Sequence, residues 1–132
     1  MQRKMLSGKI HRATITEANL HYQGSVTIDA DLMEAAGLIE FEQVEVWNIT
    51  NGNRFSTYAM TGARGSGTVC INGAAAHKAG KGDMVIIAHF GWMAEEEARR
   101  HRPKVVLVDE ANRIVDAEDP FKQRIHVESL LI

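Results

Sequence analysis

The stretch Glu42-Gln43-Val44-Glu45-Val46-Trp47-Asn48-Ile49-Thr50-Asn51-Gly52-Asn53-Arg54-Phe55-Ser56-Thr57-Tyr58-Ala59-Met60 folds back on itself. Its first half alternates polar and apolar side chains through Val44, Val46 and, less regularly, Ile49, the two-residue period of a half-buried strand. Asn51-Gly52 follows, a pair that accepts the positive φ of a tight hairpin turn. From Arg54 to Met60 the extended pattern resumes. An antiparallel β-hairpin is expected.

Working outward, the same punctuation recurs. A glycine-rich loop at 61–67 reads as a mobile connection into a strand at 68–71, and residues 72–77 read as a tight turn entering one helical turn. Gly80-Lys81-Gly82-Asp83 is another turn, and residues 84–90 form a buried-looking strand. A charged helix at 94–101 stops at Pro103, which cannot continue it. A last strand covers 104–108. On the N-terminal side, residues 29–37 have an acidic start, good helix formers and a terminal glycine, the cap signals of a short helix. Residues 26–28 make a short strand, 20–25 a turn, and 4–15 an irregular strand. Many short strands with only small helices imply a mainly β, compact barrel. The pattern weakens from Asp109, and the tail after about residue 110, above all the last fifteen or so residues, is expected to be disordered.

A chain of 132 residues, 45% hydrophobic and 24% charged, is the size of one domain, 1–132. A net charge of −2 lacks the basic footprint that phosphate neutralisation demands, so nucleic acid is not an expected partner. Cys70 is the single cysteine, which excludes an internal disulfide framework and a cysteine-based zinc site. Residues 1–7 carry two basic side chains with no apolar run behind them, and no apolar stretch approaches about 18 residues. No membrane association is expected, and the expected compartment is the cytoplasm.

Neither GxxxxGK[ST] nor a GxGxxG between strand and helix occurs, so the glycine loop is not read as a nucleotide site. His11, His21, His77, His89, His101 and His126 never fall at HxxxH spacing, and no metal is expected. The run Glu95-Glu96-Glu97-Ala98-Arg99-Arg100 gives opposite-charge pairs on a solvated helix face. Three segments stand out against this background: Gly24-Ser25 after His21-Tyr22, the stretch from Trp47 to Tyr58, and Asn72-Gly73-Ala74-Ala75-Ala76-His77. On its own, Gly24-Ser25 would be an ordinary turn.

With Lys9 and His11 near the start, these segments resemble the bacterial aspartate 1-decarboxylases, small pyruvoyl-dependent enzymes. The resemblance runs from about residue 4 to residue 103, and no family signal is visible from about Val105. It implies a double-psi β-barrel assembling as a homotetramer with active sites between subunits. It also implies decarboxylation of L-aspartate to β-alanine and CO2, which feeds pantothenate biosynthesis. Some family members need an acetyltransferase-like maturation partner.

Elementary chemistry agrees with the resemblance. Removing CO2 from an amino acid leaves an electron pair on Cα, and side-chain acids and bases supply only about 10²–10⁴-fold. An electron sink is needed, usually a cofactor. The chain has neither the length nor a phosphate cup for pyridoxal phosphate, whereas a ketone made from the chain itself fills the need. The family route starts with Ser25 Oγ attacking the Gly24 carbonyl. β-Elimination and hydrolysis then give residues 1–24 as a β chain and 25–132 as an α chain with an N-terminal pyruvoyl group. Gly24 suits this because a residue without Cβ can hold a strained backbone.

In turnover the family forms a Schiff base between the substrate amine and that ketone, with Tyr58 as proton donor. The resemblance gives Thr57 the task of polarising the Gly24 carbonyl and later contacting substrate. Arg54, a planar fork suited to a carboxylate, and Lys9 become the cations for a dianionic substrate. Asn72, Gly73, Ala74 and Ala75 form the wall that holds substrate and pyruvoyl oxygens. His11, Tyr22 and Trp47 stand behind them, and His77 braces the turn. Two competing readings are a β-barrel transcription regulator, disfavoured by the negative charge, and an unprocessed scaffold that has lost the chemistry.

Overall fold

Eight strands and two short helices follow one another along residues 1–115, the part of the chain that the computed structural model describes. In order they are β1 Gln2–Thr14, β2 Glu17–Asn19, β3 Ser25–Asp29, α1 Ala30–Ala36, β4 Gln43–Asn48, β5 Arg54–Gly62, β6 Val69–Asn72, β7 Met84–Ala94, α2 Glu95–Arg100 and β8 Lys104–Leu107. A 3-10 turn, Gly73–His77, lies between β6 and β7. The expected hairpin is present: β4 and β5 pair antiparallel from Gln43 opposite Tyr58 to Trp47 opposite Arg54. Of the turn pair only Gly52 takes a positive φ, +79°, whereas Asn51 does not, and the connection is the longer stretch 49–53 rather than a two-residue turn.

The sheet order is β2-β6-β3-β5-β4-β7-β1-β8. β1 and β2 stand near opposite ends of that order, yet only Ile15 and Thr16 separate them along the chain. The sheet must therefore curl until its ends meet. Thr16 seals the seam: its N–H donates to the Val69 carbonyl, and its hydroxyl accepts from the Val69 N–H. The result is the small, mainly β, barrel-like fold expected from the sequence. Three of its ladders, β1–β8, β2–β6 and β3–β5, are parallel and so need crossover connections that a simple meander lacks.

Alternation puts one side of each strand inside. Ile10, Val26, Ile28, Val44, Val46, Ala59, Val69, Ile71, Val85 and Ile87 are fully buried and share one core; burying an aliphatic side chain of this kind contributes roughly 1.5–3 kcal/mol. Helix α1 closes one side of this core with Leu32, Met33 and Ala36. It starts where Asp29 accepts the Asp31 N–H and stops where Gly37 turns left-handed at φ +76°, as its sequence signals imply.

The 63–67 loop differs from its reading as a mobile connection. Asp29 also accepts the N–H groups of Gly65 and Gly67, at 3.0 and 2.8 Å. Arg64 pairs with Asp31 and Glu34 on α1. The loop is pinned over the helix start by the chain's own carboxylates. Burial raises the Asp29 pKa, but the three backbone N–H donors and the nearby Arg64 outweigh it and hold the carboxyl below its ordinary value. Beyond β8, Val108 bridges to Ile114, and buried Asn112 donates to the carbonyls of Thr14 and Gly67. The rest of the expected tail, with His126, lies outside the described residues.

Candidate active site

Ser25 opens β3 immediately after an exposed turn, residues 20–24. The serine itself is only 5% exposed. Two strands hold β3. On one side, Ser25 lies opposite Asn72 of β6. On the other, Val26 pairs with Ala59 of β5 in parallel register, and continuing that register one residue back sets Ser25 level with Tyr58. The Asn72 side-chain amide, 7% exposed, donates to Ser25 Oγ and to Thr27 Oγ1, each at 3.2 Å.

The constrained glycine here is Gly73, not Gly24. Gly73 has φ +70°, and a Cβ built on it would stand 2.7 Å from Gly24 Cα and N and 2.9 Å from the Tyr22 carbonyl oxygen. Gly24 has no positive φ, and a Cβ there would meet only the Asn72 carbonyl oxygen, at 3.9 Å. The backbone just before Ser25 therefore rests directly on the backbone that follows Asn72. The need for a residue without Cβ, argued from the sequence for Gly24, falls on its neighbour in space.

The remaining expected residues divide into two groups. Tyr58 is half-buried, with its ring 6.4 Å from that of Phe41. It shares the outer face of β5 with Arg54, while alternation turns Thr57 to the other side with Phe55 and Ala59. No hydrogen bond joins Thr57 to Gly24 among the described residues. Ala74 is exposed and Ala75 partly covered on the 3-10 turn, and His77 ends that turn. The Tyr22 side chain is 66% exposed in the turn before the serine.

Arg54 and Trp47 meet on the outer face of β5 and β4, while Lys9 and His11 lie on β1, beyond β7. The Arg54 guanidinium lies 5.1 Å over the Trp47 ring, an arrangement that a cation and an aromatic face favour. Lys9 pairs with Ala88, Ala88 with Glu45, and Glu45 with Ser56, one row across β1, β7, β4 and β5. At about 4.8 Å per strand, Lys9 is roughly 14 Å from β5 along the sheet and roughly 19 Å from β3. Neither Lys9 nor Arg54 meets a carboxylate among the described residues. Burial first, then Lys9 and Arg12, push the His11 pKa down, and its Nδ1 is buried without a partner among the described residues.

Two other histidines are structural. His89 is buried between the Glu42 carboxylate and the Ala36 carbonyl, both at 2.7 Å, and His101 reaches the Leu6 carbonyl. No three His, Cys, Asp or Glu side chains converge as a metal site among the described residues. No described helix is long and apolar enough to cross a membrane. Sequence reading missed Thr27 and Cys70. The signal available was spacing: residues 25 and 27, like 70 and 72, fall on one face of a strand.

Fold and site define a small β-barrel with a hydroxyl buried at the seam between an exposed turn and a core strand. A family profile described as aspartate decarboxylase matches residues 1–115. A protein of Bordetella avium named aspartate 1-decarboxylase is 59% identical over 114 residues, 86% of this chain and 93% of that protein. The protein of the same name from Bordetella pertussis is 57% identical over the same shares. The chain belongs to the aspartate decarboxylase family, a family of enzymes. The match corrects one expectation: it continues past Val105, through β8 and the turn that buries Asn112.

Proposed function

We propose that the chain cleaves itself between Gly24 and Ser25, converts residue 25 to a pyruvoyl group, and decarboxylates L-aspartate to β-alanine and CO2 for pantothenate synthesis. The observation that carries this is the Ser25 hydroxyl, buried and bonded to Asn72 while its N-terminal neighbours are exposed and pressed on Gly73. A surface turn has no use for that arrangement. A cut there separates an exposed turn from a core strand without disturbing the core.

The maturation chemistry balances with the chain's own atoms and water. Ser25 Oγ bonds to the Gly24 carbonyl carbon as the C–N bond breaks, and the hydroxyl proton ends on the freed amine. Loss of the Cα proton of residue 25 to water breaks Cβ–Oγ, and Oγ leaves with the electron pair as a Gly24 carboxylate oxygen. The dehydroalanine left behind takes up water and releases ammonia. The residues present fit the product: Asn72 offers N–H donors to oxygen, and glycine at 73 lets the backbone approach closely. A ketone at residue 25 supplies the electron sink for the pair left when CO2 departs.

In turnover, Tyr58 holds a phenolic proton on the strand beside residue 25 and donates it to the substrate carbon. Arg54 and Lys9 bind the carboxylates of the dianionic substrate. Lys9 stands four strands round the sheet from Ser25 and Arg54 four residues along β5 from Tyr58, roughly 13 Å, so the complete site takes Ser25, Asn72 and Tyr58 from one copy and the cations from another. The outer-face side chains Trp47, Ile86 and Phe90 are the surface that a second copy covers, as in a homotetramer with sites between subunits. The setting is cytoplasmic.

The test is denatured intact mass together with CO2 release from aspartate. Wild-type protein is expected as two fragments and active, and Ser25→Ala as one inactive chain. An active Ser25→Ala protein, or turnover by wild-type chains that all remain whole, would overturn the proposal.

A further inference from the structure

The Asn72 carboxamide can sit in two orientations that differ in what they present to Ser25. With NH2 toward β3, its two donors meet Ser25 Oγ and Thr27 Oγ1, and its Oδ1 is left facing Cys70. In the reverse orientation Oδ1 faces both hydroxyls and NH2 faces sulfur, a weak acceptor. The structure has the first arrangement, with the Cys70 thiol donating to Asn72 Oδ1 at 3.3 Å. Thr27 and Cys70 lie directly opposite each other across the β3–β6 ladder, one register step of two residues from Ser25 and Asn72. The four side chains thus form a square on one face.

We propose that Thr27 and Cys70 are positioning residues for self-cleavage: together they lock the Asn72 carboxamide with its NH2 edge toward Ser25 Oγ. This rests on the reading of Gly24-Ser25 as the cleavage point. The orientation matters because negative charge gathers on Oγ twice, when it attacks without its proton and when it leaves Cβ as a carboxylate oxygen. An N–H aimed at that oxygen stabilises both moments, whereas an amide oxygen aimed at it opposes them. Burial, and the Glu17 carboxylate across the β2–β6 ladder, push the Cys70 thiol up, so the S–H that the contact needs is kept at neutral pH.

The experiment follows cleavage of freshly made precursor over time by denatured intact mass, with thermal unfolding of each variant as a control on folding. Cys70→Ala and Thr27→Val are expected to cleave about five- to tenfold more slowly, the change that loss of one hydrogen bond brings. Cys70→Ser and Thr27→Ser, which restore a donor and a hydroxyl, are expected to cleave within about twofold of wild type. Cleavage at the wild-type rate in Cys70→Ala and Thr27→Val overturns the inference. So does Cys70→Ser as slow as Cys70→Ala at equal melting temperature. A wild-type chain that never cleaves instead refutes the Gly24-Ser25 reading itself, so the two failures are told apart.

Discussion

Gly73→Ala adds one methyl group where the structure has no room for it. Its three nearest neighbours are Gly24 Cα, Gly24 N and the Tyr22 carbonyl oxygen, at 2.7, 2.7 and 2.9 Å. All are backbone, so no side chain can swing aside. Left-handed φ costs an L-residue about 1–2 kcal/mol, and forcing in a methyl adds about 1–3 kcal/mol. The exposed turn at 20–24 is the softer partner and is the part that shifts, carrying the Gly24 carbonyl away from Ser25 Oγ. If about 2 kcal/mol of that strain must be overcome to reach attack geometry, cleavage slows about thirtyfold. The assay is intact mass of the precursor over time beside thermal unfolding. Gly24→Ala, whose methyl meets only one atom at 3.9 Å, is the control and retains its fold with little loss of stability. A Gly73→Ala protein that cleaves at the wild-type rate with an unchanged melting temperature would refute the reasoning.

Tyr58→Phe keeps the ring against Phe41 but loses the proton, so it is expected to cleave normally while turnover falls at least a hundredfold; near-normal CO2 release removes Tyr58 from that role. Arg54→Ala is expected to raise KM for aspartate more than tenfold, and unchanged saturation curves would point to another carboxylate partner. Asp29→Ala loses a helix cap and leaves two loop N–H groups without an acceptor, which costs about 3 kcal/mol in denaturant unfolding. Because the folded carboxyl titrates below its ordinary value, the stability Asp29 contributes is complete above the usual aspartate range. It drains away as pH falls below about 3.8. Melting temperatures from pH 6 to 3 should therefore fall more steeply for wild type than for Asp29→Asn, and parallel curves would count against the assignment.

Local features were legible in the sequence because neighbours along the chain determine them. The Asp29 and Gly37 caps of α1 needed no partner from elsewhere, and Asn51-Gly52 marked the β4–β5 turn, although the side chains of Asn48, Asn51 and Asn53 also reach the Lys78 carbonyl. The closure of the sheet and its parallel ladders were not visible, since they depend on which distant strands meet. The far end of β7 was missed for that reason: residues 91–94 extend only because Gln2–Met5 lie alongside them. The 63–67 loop looked mobile because glycine frees a chain, yet a carboxylate more than thirty residues away collects its N–H groups. Likewise, the Gly24-Ser25 sequence drew attention to Gly24, while the steric demand falls on Gly73, which only the fold brings next to it. The distance between Lys9 and Ser25 on one barrel could not be read without the strand order.

The longest strand of the barrel belongs to the first 24 residues, and β1 is clasped between β7 and β8. A scission after Gly24 would leave that peptide in place as a guest strand with no covalent tie to its host. Before the cut, an unfolded molecule regains its barrel alone. After it, recovery would become an encounter between two separate molecules and slow with dilution, so such a cut would give the protein a folding history it could not repeat unaided.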